Sequence, residues 1–202
     1  MSRKMKSMAR IALSMLALFA AVPPALAHPD IAITVRLLFN LRLGVLTGLG
    51  ESWTFDKTYS RTLLDQFDRN RDEKLDEDEV KALGAKLAAD LNRRQYFTEI
   101  TLDGKRAAGL TMEGFSAVVD KGVVTASFAF SVAAPLDVSG RPIAVTLLDR
   151  DYVAAFRLAD QAGIQLRGDP DNKCKTSTAP DPANAYFAGL VVPTKITLSC
   201  QP

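Results

Sequence analysis

One histidine, two cysteines and one tryptophan stand among 202 residues. That scarcity excludes several kinds of chemistry. A Ser-His-Asp or Cys-His engine needs an interior histidine, and the sole histidine is His28, near the N-terminus. Cys174 and Cys200 lie in no C-x-x-C spacing and beside no histidine, so a thiol nucleophile or a metal–thiolate pair is the less favoured reading of them. The formal net charge is only +2. A field that small attracts neither nucleic acid nor anionic lipid. No enzyme class is marked, and the chain is expected to be non-catalytic.

What is present begins at the N-terminus. Arg3, Lys4, Lys6 and Arg10 lead an apolar run from Ile11 to Val22, followed by Pro23, Pro24 and Ala25-Leu26-Ala27. A basic start, a short apolar run and small residues at a cleavage point make a secretory signal. The run falls short of the roughly 20 residues that a spanning helix needs. Residues 1–27 are therefore expected to be cleaved, and residues 28–202 to work as one domain in a bacterial periplasm. No later segment is long and apolar enough to span a bilayer. The four basic residues leave with the signal, and the remainder is slightly acidic. In an exported chain, two cysteines read as one disulfide, Cys174 to Cys200. As a mature N-terminus, His28 would join an amine to an imidazole, a chelating pair for Ni²⁺ or Cu²⁺. The plainer alternative is a residue that merely follows the cleavage point.

Along the mature chain, Ile31, Ile33, Val35 and Leu37 alternate with smaller or polar residues, and Val45 to Phe55 alternates again. That period of two predicts two half-buried strands joined near Asn40–Gly44. The period then changes. Tyr59, Leu63 and Phe67, then Val80, Leu83, Leu87 and Leu91, form two helical stripes. Strands resume at 97–102, 112–119, 123–132, 143–148, 153–158, 164–167 and 195–200, with turn signals at Asp103-Gly104 and Lys121-Gly122. Residues 169–184 look like a polar surface loop, and 183–191 like one or two helical turns. The expected fold is α+β: a β-rich, sandwich-like domain with an inserted EF-hand-like helix–loop–helix at about 57–92.

The loop between the helical stripes is the one site on offer. It runs from Asp68 to Glu79 and compares with the calcium pattern D-x-[DN]-x-[DN]-G-x₅-E. A hard cation takes oxygen ligands from alternating positions of such a loop. Asp68, Asn70 and Asp72 fill the first three places, Lys74 offers its carbonyl, and Asp76 and Glu79 fill the last two. Leu75 stands where an apolar residue packs the loop onto the core. The sixth place departs: Glu73 replaces the glycine that a left-handed turn favours. A side chain there costs about 1–2 kcal/mol. With a single hand, affinity for Ca²⁺ is expected at about 10⁻⁴–10⁻³ M. A metal-free alternative stays open. Asp76 can cap the second helix and Glu79 can complete a capping box. That accounts for Asp76 to Glu79 but not for the alternation of Asp68, Asn70 and Asp72.

Several stretches in order carry a resemblance across the mature chain. They are His28-Pro29 after the signal, Trp53-Thr54-Phe55-Asp56, Phe67 to Asp72 with Leu75 and Glu79, Tyr96-Phe97-Thr98, Gly140-Arg141-Pro142, and Asp149-Arg150-Asp151-Tyr152. With them the chain resembles a family of bacterial periplasmic proteins called domain of unknown function 1007. The resemblance implies little chemistry. Members are often labelled periplasmic components of ABC-type transport systems, and many are encoded beside nickel or cobalt permeases. Two family features are altered here: the usual His-Pro-His start reads His28-Pro29-Asp30, and the loop glycine is Glu73.

The expectation is a periplasmic, non-enzymatic, metal-binding accessory with a weak Ca²⁺ loop; Ni²⁺ or another divalent metal is the less favoured ligand. Its expected partner is an inner-membrane metal permease or another periplasmic protein. Two alternatives stand beside it: a protein–protein interaction module with a vestigial, metal-free loop, and a solute-binding component of a transport system.

Overall fold

A computed structural model describes residues 29–160, 163–171 and 173–202. The signal segment and His28 lie outside them. The first two strands, β1 (Ile31–Arg42) and β2 (Val45–Phe55), pair antiparallel as the alternation predicts. Their connection is the dipeptide Leu43-Gly44, with φ of +52° and +75°. Asp103-Gly104 and Lys121-Gly122 repeat those angles closely. Positive φ at both central residues matches the right-handed twist of a hairpin, so these X-Gly pairs set the register of three hairpins.

Two helices follow, α1 (Lys57–Phe67) and α2 (Glu77–Leu91), then a tight turn through Asn92–Phe97. The remaining strands are β3 (Thr98–Leu102), β4 (Lys105–Ala108), β5 (Leu110–Asp120), β6 (Val123–Asp137), β7 (Ile143–Leu147), β8 (Ala154–Leu158), β9 (Ile164–Arg167), β10 (Cys174–Pro180) and β11 (Thr194–Cys200). One sheet runs β5-β6-β2-β1, with β8 and β9 both parallel to β1 along successive halves of it. The second sheet runs β10-β11-β7-β3-β4 and is antiparallel throughout. Their inner faces share one core. Leu37, Phe39, Leu49 and Trp53 come from the first sheet, and Ile100, Ile143, Val145, Ile196 and Leu198 from the second.

Two expectations are corrected. Strands hold 52% of the described residues and helices 21%, so the fold is mostly β, and of the α+β expectation the β-rich, two-sheet part stands. Nor do the helices form an inserted EF-hand. They pack on the sheet more than on each other, α1 against β6 and α2 against β5. The physical reason lies in their apolar stripes. Leu63, Leu64 and Phe67 of α1, and Leu83 and Leu87 of α2, are buried in the core shared with the strands. Gly84 shows how close α2 comes to the sheet, because a Cβ there would stand 2.6 Å from the Phe115 ring. On α1, the Ser60 hydroxyl accepts from the Val124 amide at 3.0 Å, bolting helix to strand.

The C-terminal expectations need amendment too. Within 169–184 the chain forms the edge strand β10, and at 182–184 only one short 3₁₀ turn. Tyr186 and Val191 then close a tight hairpin in place of a helix. The disulfide forms as expected. Cys174 and Cys200 sit directly opposite on β10 and β11, with an S–S distance of 2.06 Å.

Candidate functional site

The 68–79 loop is built from both helix ends. The Asp68 amide donates to the Leu64 carbonyl and ends α1. At the far side, the Asp76 carboxylate accepts from the Glu79 amide and the Glu79 carboxylate accepts from the Asp76 amide, the reciprocal capping box. Glu79 does more than cap. Its other oxygen accepts from the Arg69 amide at 2.7 Å, and its side chain is 2% exposed. One buried carboxylate thus clamps the start of the loop to its end.

Between the clamps, short acceptors order the backbone. The Asp68 carboxylate accepts from the amides of Asp72 and Glu73, Asn70 Oδ1 from Asp72, and Asp72 from Lys74. Asp and Asn favour such side-chain-to-backbone turns because their polar atoms sit one carbon from the chain. Arg71 and Glu73 take left-handed φ values of +60° and +61°. The turn at the sixth place is therefore present, made by a glutamate at some cost in strain. Leu75 is half-buried and packs against the core.

These residues form one closed loop, with the acids from Asp68 to Asp72 and Asp76 at exposed or half-exposed positions. Among the described residues, no three His, Cys, Asp or Glu side chains stand close enough together to hold a metal ion. The carboxylates point first at backbone amides. Each retains acceptor capacity beyond the bonds named, since an ionised carboxylate offers about four lone-pair sites.

A second polar group lies deep in the core. Glu51 of β2 is 2% exposed, on the same face as Leu49 and Trp53. Trp53 Nε1 donates to its Oε2 at 2.9 Å, and the Thr98 hydroxyl lies 2.8 Å from Oε1. Glu51 therefore reaches across from the first sheet to β3 of the second. Burial outweighs these two hydrogen bonds and pushes its carboxyl up to about 7 from an ordinary 4.5. Just before Thr98, three successive residues without glycine are left-handed: Gln95, Tyr96 and Phe97, at +50°, +53° and +57°. Each costs about 1–2 kcal/mol, so surrounding contacts must hold the turn. The Gln95 side chain does part of this, donating to the Asn92 carbonyl and accepting from the Leu110 amide at 2.7 Å. Tyr96 packs on Phe128 and Phe130, and Phe97 on Trp53 and Phe156.

Beside this turn is a cleft lined by Arg94, Phe97, Glu99, Arg106, Asp149 and Arg150. Its charges are paired internally. Arg94 meets Asp149 and Asp151, while Arg150 and Arg106 both meet Glu99. Asp149 is buried and accepts from the amides of Asp151, Val153 and Ala154, shaping the connection into β8. Glu51 and the left-handed turn had only a faint signal in sequence, a carboxylate in phase with Leu49, Trp53 and Phe55.

Comparison with known proteins agrees with the arrangement of motifs. An uncharacterised 15.5 kDa protein from the trpE 3′ region of Spirochaeta aurantia is 26% identical over 135 residues, covering 67% of this chain and 96% of that protein. A family described as a protein of unknown function, DUF1007, matches residues 13–191. The match spans the helices, the 68–79 loop, the Glu51 cluster and nearly all the strands, and the chain belongs to the DUF1007 family.

Proposed function

We propose that this chain is an exported, non-enzymatic binding protein whose 68–79 loop takes up one hard divalent cation of the Ca²⁺ class. The closure of the loop carries the proposal: Glu79 holds the Arg69 amide beside Asp68, so the first and last of the spaced acids share one small ring of backbone. The donors are all oxygen, from Asp68, Asn70, Asp72, Asp76 and Glu79 with the Lys74 carbonyl. Oxygen-only sets favour Ca²⁺ or Mg²⁺ over Ni²⁺ or Cu²⁺, which prefer imidazole or thiolate. Capture requires the exposed carboxylates to draw inward, consistent with a weak site.

Export is supported by the N-terminal signal pattern, and the disulfide fits an oxidising compartment. A membrane metal permease is the partner class that the family labels suggest. A second reading is favoured by the hydrogen bonds themselves. The capping box and Asx turns order the loop without any cation, and the domain would then serve as an interaction module.

Calorimetric titration of the chelator-treated mature protein with Ca²⁺, Mg²⁺ and Ni²⁺ separates the two. Saturable Ca²⁺ heat near one per chain, lost in Asp72→Ala, supports the cation site. No heat with any cation, and a melting temperature unmoved by chelator, would leave the interaction module. Ni²⁺ heat that survives Asp72→Ala would move attention to the N-terminal amine and imidazole of His28.

A further inference from the structure

The Thr98 hydroxyl has one proton and two acceptors within reach. Glu51 Oε1 lies at 2.8 Å and the Tyr96 carbonyl oxygen at 3.1 Å. Which acceptor receives it depends on Glu51. When Glu51 carries a proton, its own O–H can donate to Thr98 Oγ1, and Thr98 can donate onward to Tyr96. The chain Glu51 to Thr98 to Tyr96 is then complete, and each link is satisfied. When Glu51 is ionised it has nothing to donate. A buried carboxylate needs donors, so the Thr98 proton turns to it and Tyr96 gives up that bond. Tyr96 is the middle residue of the left-handed turn. Ionisation deep in the core is thereby wired to the longest run of left-handed residues without glycine in the described structure. Strain of this kind persists only where surrounding contacts over-determine it.

We propose that Glu51, Thr98 and Tyr96 form a proton-operated clasp: a proton on Glu51 locks the two sheets to the 95–97 turn, and its loss loosens that turn and the arginine-lined cleft beside it. The cleft follows because Phe97, the last residue of the turn, and Arg94, the residue before it, both line it. Groups that could disturb this assignment are few. The elements packed around Glu51 contribute Leu37 of β1, Phe128 of β6 and Trp53, none of which titrates. Tyr96 is raised by burial and keeps its proton near neutrality. Arg36 of β1, Glu113 of β5 and Arg157 of β8 lie on exposed positions. Glu99 of β3 is paired with Arg150 and Arg106, and Asp149 with Arg94. The influences on Glu51 are burial, Thr98 and Trp53.

The molecule carries its own reporter, because the indole that donates to Glu51 belongs to the only tryptophan. The test follows Trp53 emission in the folded, disulfide-intact protein across the neutral range. In parallel, amide hydrogen exchange at Tyr96 and Phe97 is measured, corrected for its intrinsic pH dependence. Wild type should show an emission transition centred near 7, with faster exchange at the turn on the same midpoint. Glu51→Gln should remove both. Thr98→Val should keep the emission change, move its midpoint up because a donor to the ionised form is gone, and uncouple it from exchange at the turn. Thr98→Ser should restore the coupling. An emission transition that persists in Glu51→Gln overturns the proposal. So does turn exchange in wild type that ignores the emission midpoint, and so does the absence of any wild-type transition.

Discussion

The 68–79 loop and the Glu51 cluster both set carboxylates against left-handed stretches of backbone, and they differ in almost every other respect. In the loop, Asp68, Asp72 and Asp76 are exposed or half-exposed and bond to amides only a few residues away. In the core, Glu51 is sealed between sheets and bonds to Thr98, 47 residues along the chain. Water screens the first group, and local turns satisfy it. Nothing screens the second, so its protonation state becomes a matter of folding. The same functional group thus serves as a shape-setting acceptor in one place and as a stability-setting acid in the other.

The largest expected effect separates the two directly. The Glu51 carboxyl is held at about 7 in the fold against 4.5 ordinarily, so the folded state binds the extra proton. The linked stability is therefore fully present below about 4.5 and is lost as pH rises through about 7, a swing of about 3 kcal/mol. Urea unfolding of wild type across that window should show it, and Glu51→Gln should flatten the curve. A curve unchanged by the substitution would remove the contrast between the two regions.

Within the loop, Glu79 is the exception that is buried. Glu79→Ala removes the acceptor for Arg69 and Asp76 amides, and denaturant melts should show a loss of about 2 kcal/mol. A loss much below that would mean that water replaces the clamp easily. Asp76→Ala removes the N-cap of α2 and should cost about 1 kcal/mol, read the same way. The smallest change in stability is expected from Glu73→Gly. Relief of the left-handed glutamate gains about 1 kcal/mol, and the freer glycine gives back a similar amount in the unfolded chain. Ca²⁺ affinity should likewise change little, because Glu73 already holds the left-handed turn; a several-fold gain in titration would show that the glutamate side chain itself hinders the cation.

Legibility followed the environment of each segment. The strands β1, β2, β5 and β6 were readable because one face of each is more buried than the other, which writes an alternation into the sequence. The edge strands β4 and β10 were not. Residues 105–108 are two basic residues followed by two alanines, and much of 174–180 is exposed and polar, so neither carries an apolar period. The helices were readable from their stripes, yet the stripes could not say what they face. They pack chiefly on β5 and β6 rather than on each other. The Asp-rich spacing of the loop was plain in sequence, as was the need for a left-handed residue at Glu73. That Glu79 would close the ring through the Arg69 amide was not.

The sequence by itself determined the local features: hairpin turns at X-Gly pairs, the helix cap at Asp76, the short-range turns of the loop, and the cysteines available for one disulfide. Each rests on interactions between residues close in the chain, or on there being only one possible partner. Tertiary structure alone decided that Glu51 is a buried acid, that Thr98 stands between it and Tyr96, and that three residues without glycine hold a left-handed turn. Those outcomes depend on which surfaces exclude water and which distant strand supplies a donor. Residue type and spacing do not encode either until the sheets have closed on one another.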